Sequence, residues 1–287
     1  MMERRIGTSS VPYGGTVSQD YDDRYNLEAH RNSLGITLSV WKALLLREAL
    51  SRLSSGRAAW FWLVAEPAAH MAILGFLFVV IRQRTIGGID FLIWLVLGLQ
   101  GFFLFRRTAN QMAGAVDSNK GLFSYRQVKP IDTVIVRGML EGLLTVAVIT
   151  FIFIGVALLG HNIIPSNPLV IISAYLGLWL FGVAVGLIVS ALSEVATELR
   201  KVINIAMIPA YFISGVLFPI ANIPEPYRAW LLYNPVVHGL DGAREGFAPY
   251  YHSVPGMSLI YLYGAALVGI FIGLALHRRY AELMVTR

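Results

Sequence analysis

Long apolar runs alternate with short polar connections along most of the chain. The runs cover residues 58–81, 89–105, 138–160, 169–192, 202–220 and 257–276. Each is close to the ~20 residues that carry a helix across ~30 Å of hydrocarbon. The pattern predicts an all-α integral membrane protein with six transmembrane helices. The second helix is expected to continue past its apolar part, to about Val116. Ahead of the runs, ITLSVWKALLLREALSRLSSGR (36–57) mixes leucines and Trp41 with Lys42, Arg47, Arg52 and Arg57. That segment is too charged to span, and it reads as a basic amphipathic helix in the inner headgroup layer. Residues 1–32 are polar throughout and predict a mobile cytoplasmic tail without the apolar core of a cleavable signal. Three parts follow: a tail (1–32), an interface helix (33–57) and a six-span domain (58–287).

One connection is unusual. Residues 221–256 hold five prolines. Pro226 can open a short helix over 227–233, which Asn234-Pro235 stops, and a second can run over 236–247. This predicts a re-entrant or interfacial helical hairpin between spans five and six. Such non-spanning backbone is tolerated where protein or water covers it.

Composition agrees with the pattern. The chain is 56% hydrophobic and 14% charged, against roughly 25% charged for soluble domains. It has no cysteine, which excludes disulfides, thiolate metal sites and cysteine nucleophiles. The net charge of +6 fits either nucleic-acid binding or basic loops held on the cytoplasmic side. Its distribution decides. With both termini inside, nineteen Lys and Arg residues fall on the cytoplasmic side, and only Arg82, Arg84, Arg228 and Arg244 outside. The positive-inside bias therefore orients the chain in a multi-pass bacterial inner membrane, N-in and C-in, and needs no nucleic acid.

Motifs for bond chemistry are missing. The sequence has no GxxxxGK[ST], no HExxH, no GxSxG and no ligand-spaced histidine and carboxylate cluster, so no catalytic or metal residue is assigned. Polar groups inside the apolar runs are more informative. Arg106 and Arg107 follow an aromatic stretch; they either snorkel to the inner interface or face a wet cavity. Neighbouring residues point about 100° apart, so one of the two is expected to face it. Glu66 and His70 are spaced to share one helical face. Pro209 interrupts the fifth run and predicts a kink.

The order of elements resembles the type-2 ABC exporter permeases. FISGVLFPIANIPEPYRAWLLYNPVVHGLDGAREG (212–246) is similar to that family's C-terminal signature. NKGLFSYRQVKPID (119–132), with Trp62, Glu66 and Pro67, resembles more narrowly the capsule polysaccharide export permeases of Gram-negative bacteria. The resemblance runs from about Ile36 to the end. It implies a homodimer, with ATP and Mg on two separate ABC ATPase subunits and no cofactor on this chain. It implies an anionic, lipid-linked polysaccharide as cargo, a periplasmic polysaccharide co-polymerase or adaptor, and an outer-membrane export protein. The polar residues themselves offer a substrate pathway along Glu66, His70, Arg106 and Arg107, with Glu66 and His70 otherwise a structural pair, a snorkelling Glu or part of the dimer seam. Trp60, Trp62, Phe102, Phe103, Phe105, Tyr211 and Phe212 would stack on sugars there, or else sit as ordinary interface and lipid-facing aromatics. A coupling helix over 122–128 is expected after Gly121, ended by Lys129-Pro130; Gly121, Leu122, Phe123, Tyr125, Arg126 and Lys129 would meet the ATPase. On the exit hairpin lie Tyr227, Trp230 and Arg244, the last either gating the exit or pairing with Asp241 or Glu245. Rival readings are another cargo (O-antigen, teichoic acid, lipo-oligosaccharide or a drug), a membrane glycosyl- or acyltransferase using Glu66 and His70, and a passive channel.

Overall fold

The computed structural model describes residues 33–54, 59–81, 85–125 and 127–286. The expected tail (1–32), Arg57, Arg82, Arg84, Arg126 and the side chain of Trp60 lie outside the described residues. The elements are α1 (Ser33–Ser54), α2 (Ala59–Ile81), β1 (Thr85–Ile86), β2 (Ile89–Asp90), α3 (Phe91–Ala113), α4 (Ala115–Ser118), α5 (Pro130–Leu158), α6 (Pro168–Ser193), α7 (Leu199–Ile213), α8 (Tyr227–Leu231), α9 (Pro235–Phe247), α10 (Leu259–Arg279) and α11 (Ala281–Thr286).

Among the described residues, four helices are long and apolar enough to cross a membrane: α3, α5, α6 and α10. The first apolar run is also helical as α2, with Pro67 inside it. The fifth run departs from expectation. Its helix, α7, has 15 residues, about 22 Å at 1.5 Å per residue, short of the ~30 Å core. It stops at Ser214-Gly215, where Gly215 takes φ 72°, a left-handed value that only glycine adopts freely. The remainder of the run is irregular, apart from a 3-10 turn at Ile220–Asn222. A small antiparallel hairpin, β1–β2, precedes α3. Gly87 and Gly88 turn it with φ 56° and 83°, as a two-residue hairpin turn requires. Asp90 then caps α3, accepting from the Leu92 N–H at 2.9 Å.

Helix α3 is central, with Trp94, Leu95, Leu97, Leu99, Phe102 and Met112 all at 0% exposure. It packs on α6, which also meets α9 and α10. Small residues allow the close approach. A Cβ at Gly182 of α6 would sit 2.8 Å from the Phe105 carbonyl oxygen, and such small-residue contacts replace the hydrophobic drive that lipid removes.

Two expectations fail on the polar side. Residues 122–128 do not form a helix: a 3-10 turn covers Lys120–Leu122 and turns follow. Lys129-Pro130 opens a helix rather than ending one. Pro130 is the first residue of α5, where a missing N–H costs nothing, and Asp132 accepts from the Lys129 N–H at 2.9 Å. Helix α5 therefore begins eight residues ahead of its apolar run and carries Asp132 and Arg137 in its added turns, with Glu141 one turn further on.

Those three residues dock α1. Trp41 Nε1 donates to Asp132 at 2.9 Å, Arg137 Nε donates to Glu48 at 2.8 Å, and Arg52 pairs with Glu141. Partner numbers rise together, so α1 runs parallel to the start of α5. Arg52 also reaches Gln111, at 3.0 Å, and Arg47 reaches the Asn119 side chain. The sequence pattern aimed both arginines at headgroups; acidic and amide partners 59 to 89 residues away claim them instead.

Candidate cleft and its connections

Helices α2, α3 and α7 leave a cleft of about 210 Å³ between them, lined by Glu66, Pro67 and His70, by Phe103, Arg106 and Arg107, and by Met207, Ile208, Tyr211 and Phe212. Seven residues singled out in the sequence therefore meet at one place, from three helices up to 146 positions apart. Both arginines line it, not one. A guanidinium sits on a long flexible stem and can turn into a cleft from a flank of its helix.

The partners inside the cleft differ from those expected. Glu66 and His70 share the wall but do not bond to each other. Glu66 Oε2 lies 3.8 Å from Arg107 NH2. His70 Nε2 lies 3.4 Å from the Tyr211 hydroxyl, and its ring meets Phe103 edge-on at 5.4 Å. The Arg106 guanidinium sits 5.1 Å from the centre of the Phe103 ring, a cation–π distance. Two aromatic candidates point elsewhere. Phe102 is fully buried against Tyr211, and Phe105 stacks on Phe181 at 5.3 Å, so neither presents a face to a ligand. Trp62 is 64% exposed on the outer surface of α2 and does not line the cleft.

The wall formed by α7 is held at its ends. Just past the C-terminal end of the helix, Arg244 donates to the carbonyls of Gly215 (2.9 Å) and Val216 (3.2 Å), and Asn234 donates to Ser214 Oγ at 2.9 Å. Arg244 is 1% exposed, with its guanidinium 3.6 Å from the Trp94 ring centre. It is thus a buried strut and not the surface gate the sequence allowed. Gly98 of α3 makes the room, since a Cβ there would collide with the guanidinium. Asp241 does not pair with Arg244; it takes the Tyr251 hydroxyl at 2.5 Å. Two short helices do form where the hairpin was expected, α8 and α9, and Tyr227 and Trp230 of α8 are exposed.

At the other end of α7, Arg200 donates to Asp117 at 2.7 Å, Lys120 pairs with Asp117 at 2.9 Å, and Lys120 approaches Glu194 at 3.8 Å. The node joins the connection after α3 to the α6–α7 turn. Burial pushes the Asp117 carboxyl up, but hydrogen bonds from Lys120 and Arg200 outweigh it and hold the group below its ordinary 3.8. The bond to Asp117 raises Lys120. Burial, and then Asp117, raise Glu194. The sequence counted these residues only as loop charges, because nothing local shows that positions 83 apart touch.

The stretch between α4 and α5, expected to meet an ATPase, borders a second hollow. Phe123, Tyr125, Lys129 and Pro130 line it with Arg278 of α10 and Met284 of α11. Tyr125 is 65% exposed. Gly121 and Leu122 lie in or beside the 3-10 turn. Among the described residues, no group of three or more His, Asp or Glu side chains is placed to hold a metal ion.

A family model described as ABC-2 type transporter matches residues 39–248. The chain is 40% identical over 245 residues to the polysialic acid transport protein KpsM of Escherichia coli, covering 85% of this chain and 95% of that one. It is 25% identical over 252 residues to the capsule polysaccharide export inner-membrane protein CtrC of Neisseria meningitidis serogroup B, covering 83% and 93%. It is 24% identical over 260 residues to the O-antigen export system permease protein RfbA of Klebsiella pneumoniae, covering 88% and 97%.

Proposed function

Since the chain belongs to the ABC-2 type transporter family, we propose that it is the inner-membrane permease of a capsule polysaccharide exporter, moving an acidic, lipid-linked glycan outward. It is a transport subunit and not an enzyme. The observation that carries the reading is the cleft between α2, α3 and α7, where two guanidinium groups meet His70, Tyr211 and Phe103. Guanidinium forks bind oxyanions, and aromatic faces offer shallow contacts that a sliding polymer can leave. The relatives' printed functions, polysialic acid transport and capsule polysaccharide export, point to the same cargo class.

In this reading the chain spans six times with both termini inside. Helix α2 makes the first crossing, and α7 makes the fifth together with the irregular segment behind it. Helix α1 lies at the inner surface, and α8–α9 form the outer hairpin. A second copy completes the pathway. Two separate ATPase subunits hold ATP and Mg and press on the 119–129 stretch; a periplasmic adaptor and an outer-membrane protein take the polymer onward. The push reaches the cleft through the Asp117–Arg200 contact at the base of α7.

Deleting the chain is expected to remove surface capsule and leave polymer in the cytoplasm. Surface capsule that persists overturns the reading. The likeness to an O-antigen permease supports a second cargo. In the purified complex with its ATPase, stimulation of ATP hydrolysis by O-antigen and not by acidic capsule polymer selects that cargo.

A further inference from the structure

The charges of the cleft do not balance. Among the described residues it holds two guanidinium groups, Arg106 and Arg107, and one carboxylate, Glu66. Arg106 rests on the Phe103 ring and has no carboxylate in ion-pair contact among the described residues. Both arginines lie about 10 Å inside the end of α3, counted from Ala113, and Glu66 lies about 10 Å inside the start of α2. Charges at such depth persist where they face water or a partner.

The single pair is also loose. Glu66 and Arg107 stand 3.8 Å apart, and the Glu66 side chain is 72% exposed. Three other arginine–carboxylate pairs close fully, Arg200–Asp117 at 2.7 Å, Arg137–Glu48 at 2.8 Å and Arg228–Glu225 at 2.7 Å, and where a pair stays wide, as Arg52–Glu48 does at 3.6 Å, the arginine has a closer carboxylate in Glu141. Charge-assisted bonds settle at about 2.7–2.9 Å, so the cleft pair is open by about one ångström. An oxyanion entering the cleft meets Arg106 with no carboxylate in ion-pair contact among the described residues and Arg107 only half claimed.

We propose that Glu66 is a built-in competitor, a carboxylate that occupies Arg107 between substrate contacts and yields it to each oxyanion of the passing cargo. The proposal rests on the export reading and adds to it a reason for transit. Two bare guanidinium groups facing an anionic chain at low dielectric would hold it. A carboxylate of the protein on the same cation lowers the net attraction and returns as each oxyanion leaves, so the polymer moves on. The excess of one positive charge still favours anionic over neutral cargo. The oxyanion is a carboxylate or a phosphate, since a guanidinium fork takes both. It comes either from acidic sugars along the polymer or from a phosphodiester at its lipid end.

The test uses the full permease–ATPase complex in nanodiscs and measures direct binding together with the rate of ATP-driven polymer movement. One probe is an acidic oligosaccharide without lipid. The second is a lipid phosphodiester carrying a neutral glycan. The third is the carboxyl-reduced, neutral form of the first. Glu66→Gln is expected to bind an oxyanion probe about tenfold more tightly and to move polymer more slowly. Glu66→Asp, with its carboxylate drawn back by one methylene, should fall between. Arg107→Ala should weaken the same probe about tenfold, and neither change should alter binding of the neutral oligosaccharide. Whichever of the first two probes shifts identifies the source of the oxyanion. Unchanged affinity for both in Glu66→Gln, with wild type binding normally, overturns the proposal and leaves the export reading standing. A wild-type complex that binds none of the probes overturns both.

Discussion

Arg244 shows how one residue can look functional in sequence and prove structural. It is a charged group near Asp241 and Glu245 in a Pro-rich connection, which reads as a surface gate. In the fold it is enclosed, covers the Trp94 ring and bonds the Gly215 and Val216 carbonyls. Those carbonyls lie in the irregular segment just past α7, where no regular backbone partner exists among the described residues, so the guanidinium satisfies them in a buried setting. Arg244→Met is expected to destabilise the protein by about 3 kcal/mol, because two buried acceptors lose their donor. Gly98→Ala should act the same way from the opposite side by displacing the guanidinium. The check is the melting temperature of the purified protein, with a clear fall expected for both. A gate would instead leave stability intact and alter export. By contrast, Glu66, His70, Arg106 and Arg107 were legible as candidates because a polar group in an apolar run is costly wherever it lies. Their true pairings were not legible, since they cross between helices.

At the scale of elements, apolar runs set the existence of helices well and their ends poorly. Helix α5 starts early because Pro130 and Asp132 make a strong start signal, and because α1 supplies partners for the charged turns that follow. Helix α7 stops early because Gly215 turns left-handed and Arg244 holds the two carbonyls just beyond the end. The result is a helix that buries only Met207 and is clamped by polar contacts at both ends, suited to moving as a unit against the cleft. In the proposed mechanism the clamp at its N-terminal end is the lever. Asp117→Arg places a cation beside Lys120 and Arg200, and should cut export strongly while basal ATP hydrolysis continues. The swap Asp117→Arg with Arg200→Asp should recover part of the export. A swap no better than the single change would show that the contact transmits nothing. The same clamp has a pH signature. Asp117 is held below its ordinary 3.8, so its stabilisation is complete above that value and fades as pH falls through the lowered one. Lys120 is held above its ordinary 10.5, so its share is complete below that value and fades only as pH rises past it. Glu194 of the same node is held above its ordinary 4.5 by burial and then by Asp117, so a titration of transport on the acid side of this window belongs to Glu194, and Asp117→Asn should move it to lower pH.

At the scale of the whole molecule, the open apolar faces are not evenly shared. Helix α2 exposes Phe61, Trp62, Ile73 and Phe76, and α7 exposes Ile205, Ile208, Phe212 and Ile213, on the two helices that flank the cleft. Helix α10 is also apolar and exposed, at Leu267, Val268 and Phe271, but it flanks no polar group of the cleft. Lipid can cover any of these faces. A cleft with charged walls cannot face hydrocarbon, because lipid leaves its guanidinium groups unsolvated. A second copy set against α2 and α7 would close the cleft into a wet passage and leave α10 to lipid, the arrangement a two-fold dimer gives when one patch meets itself. The absence of cysteine makes this directly measurable, because a single introduced thiol reports only on its own position. Phe212→Cys is expected to form a disulfide-linked dimer in native membranes under mild oxidation, whereas Phe271→Cys should stay monomeric on a denaturing gel. Ile205→Arg on the same face should abolish both the cross-link and export. If Phe271→Cys links and Phe212→Cys does not, the seam lies along α10, and the cleft must find its water within a single copy.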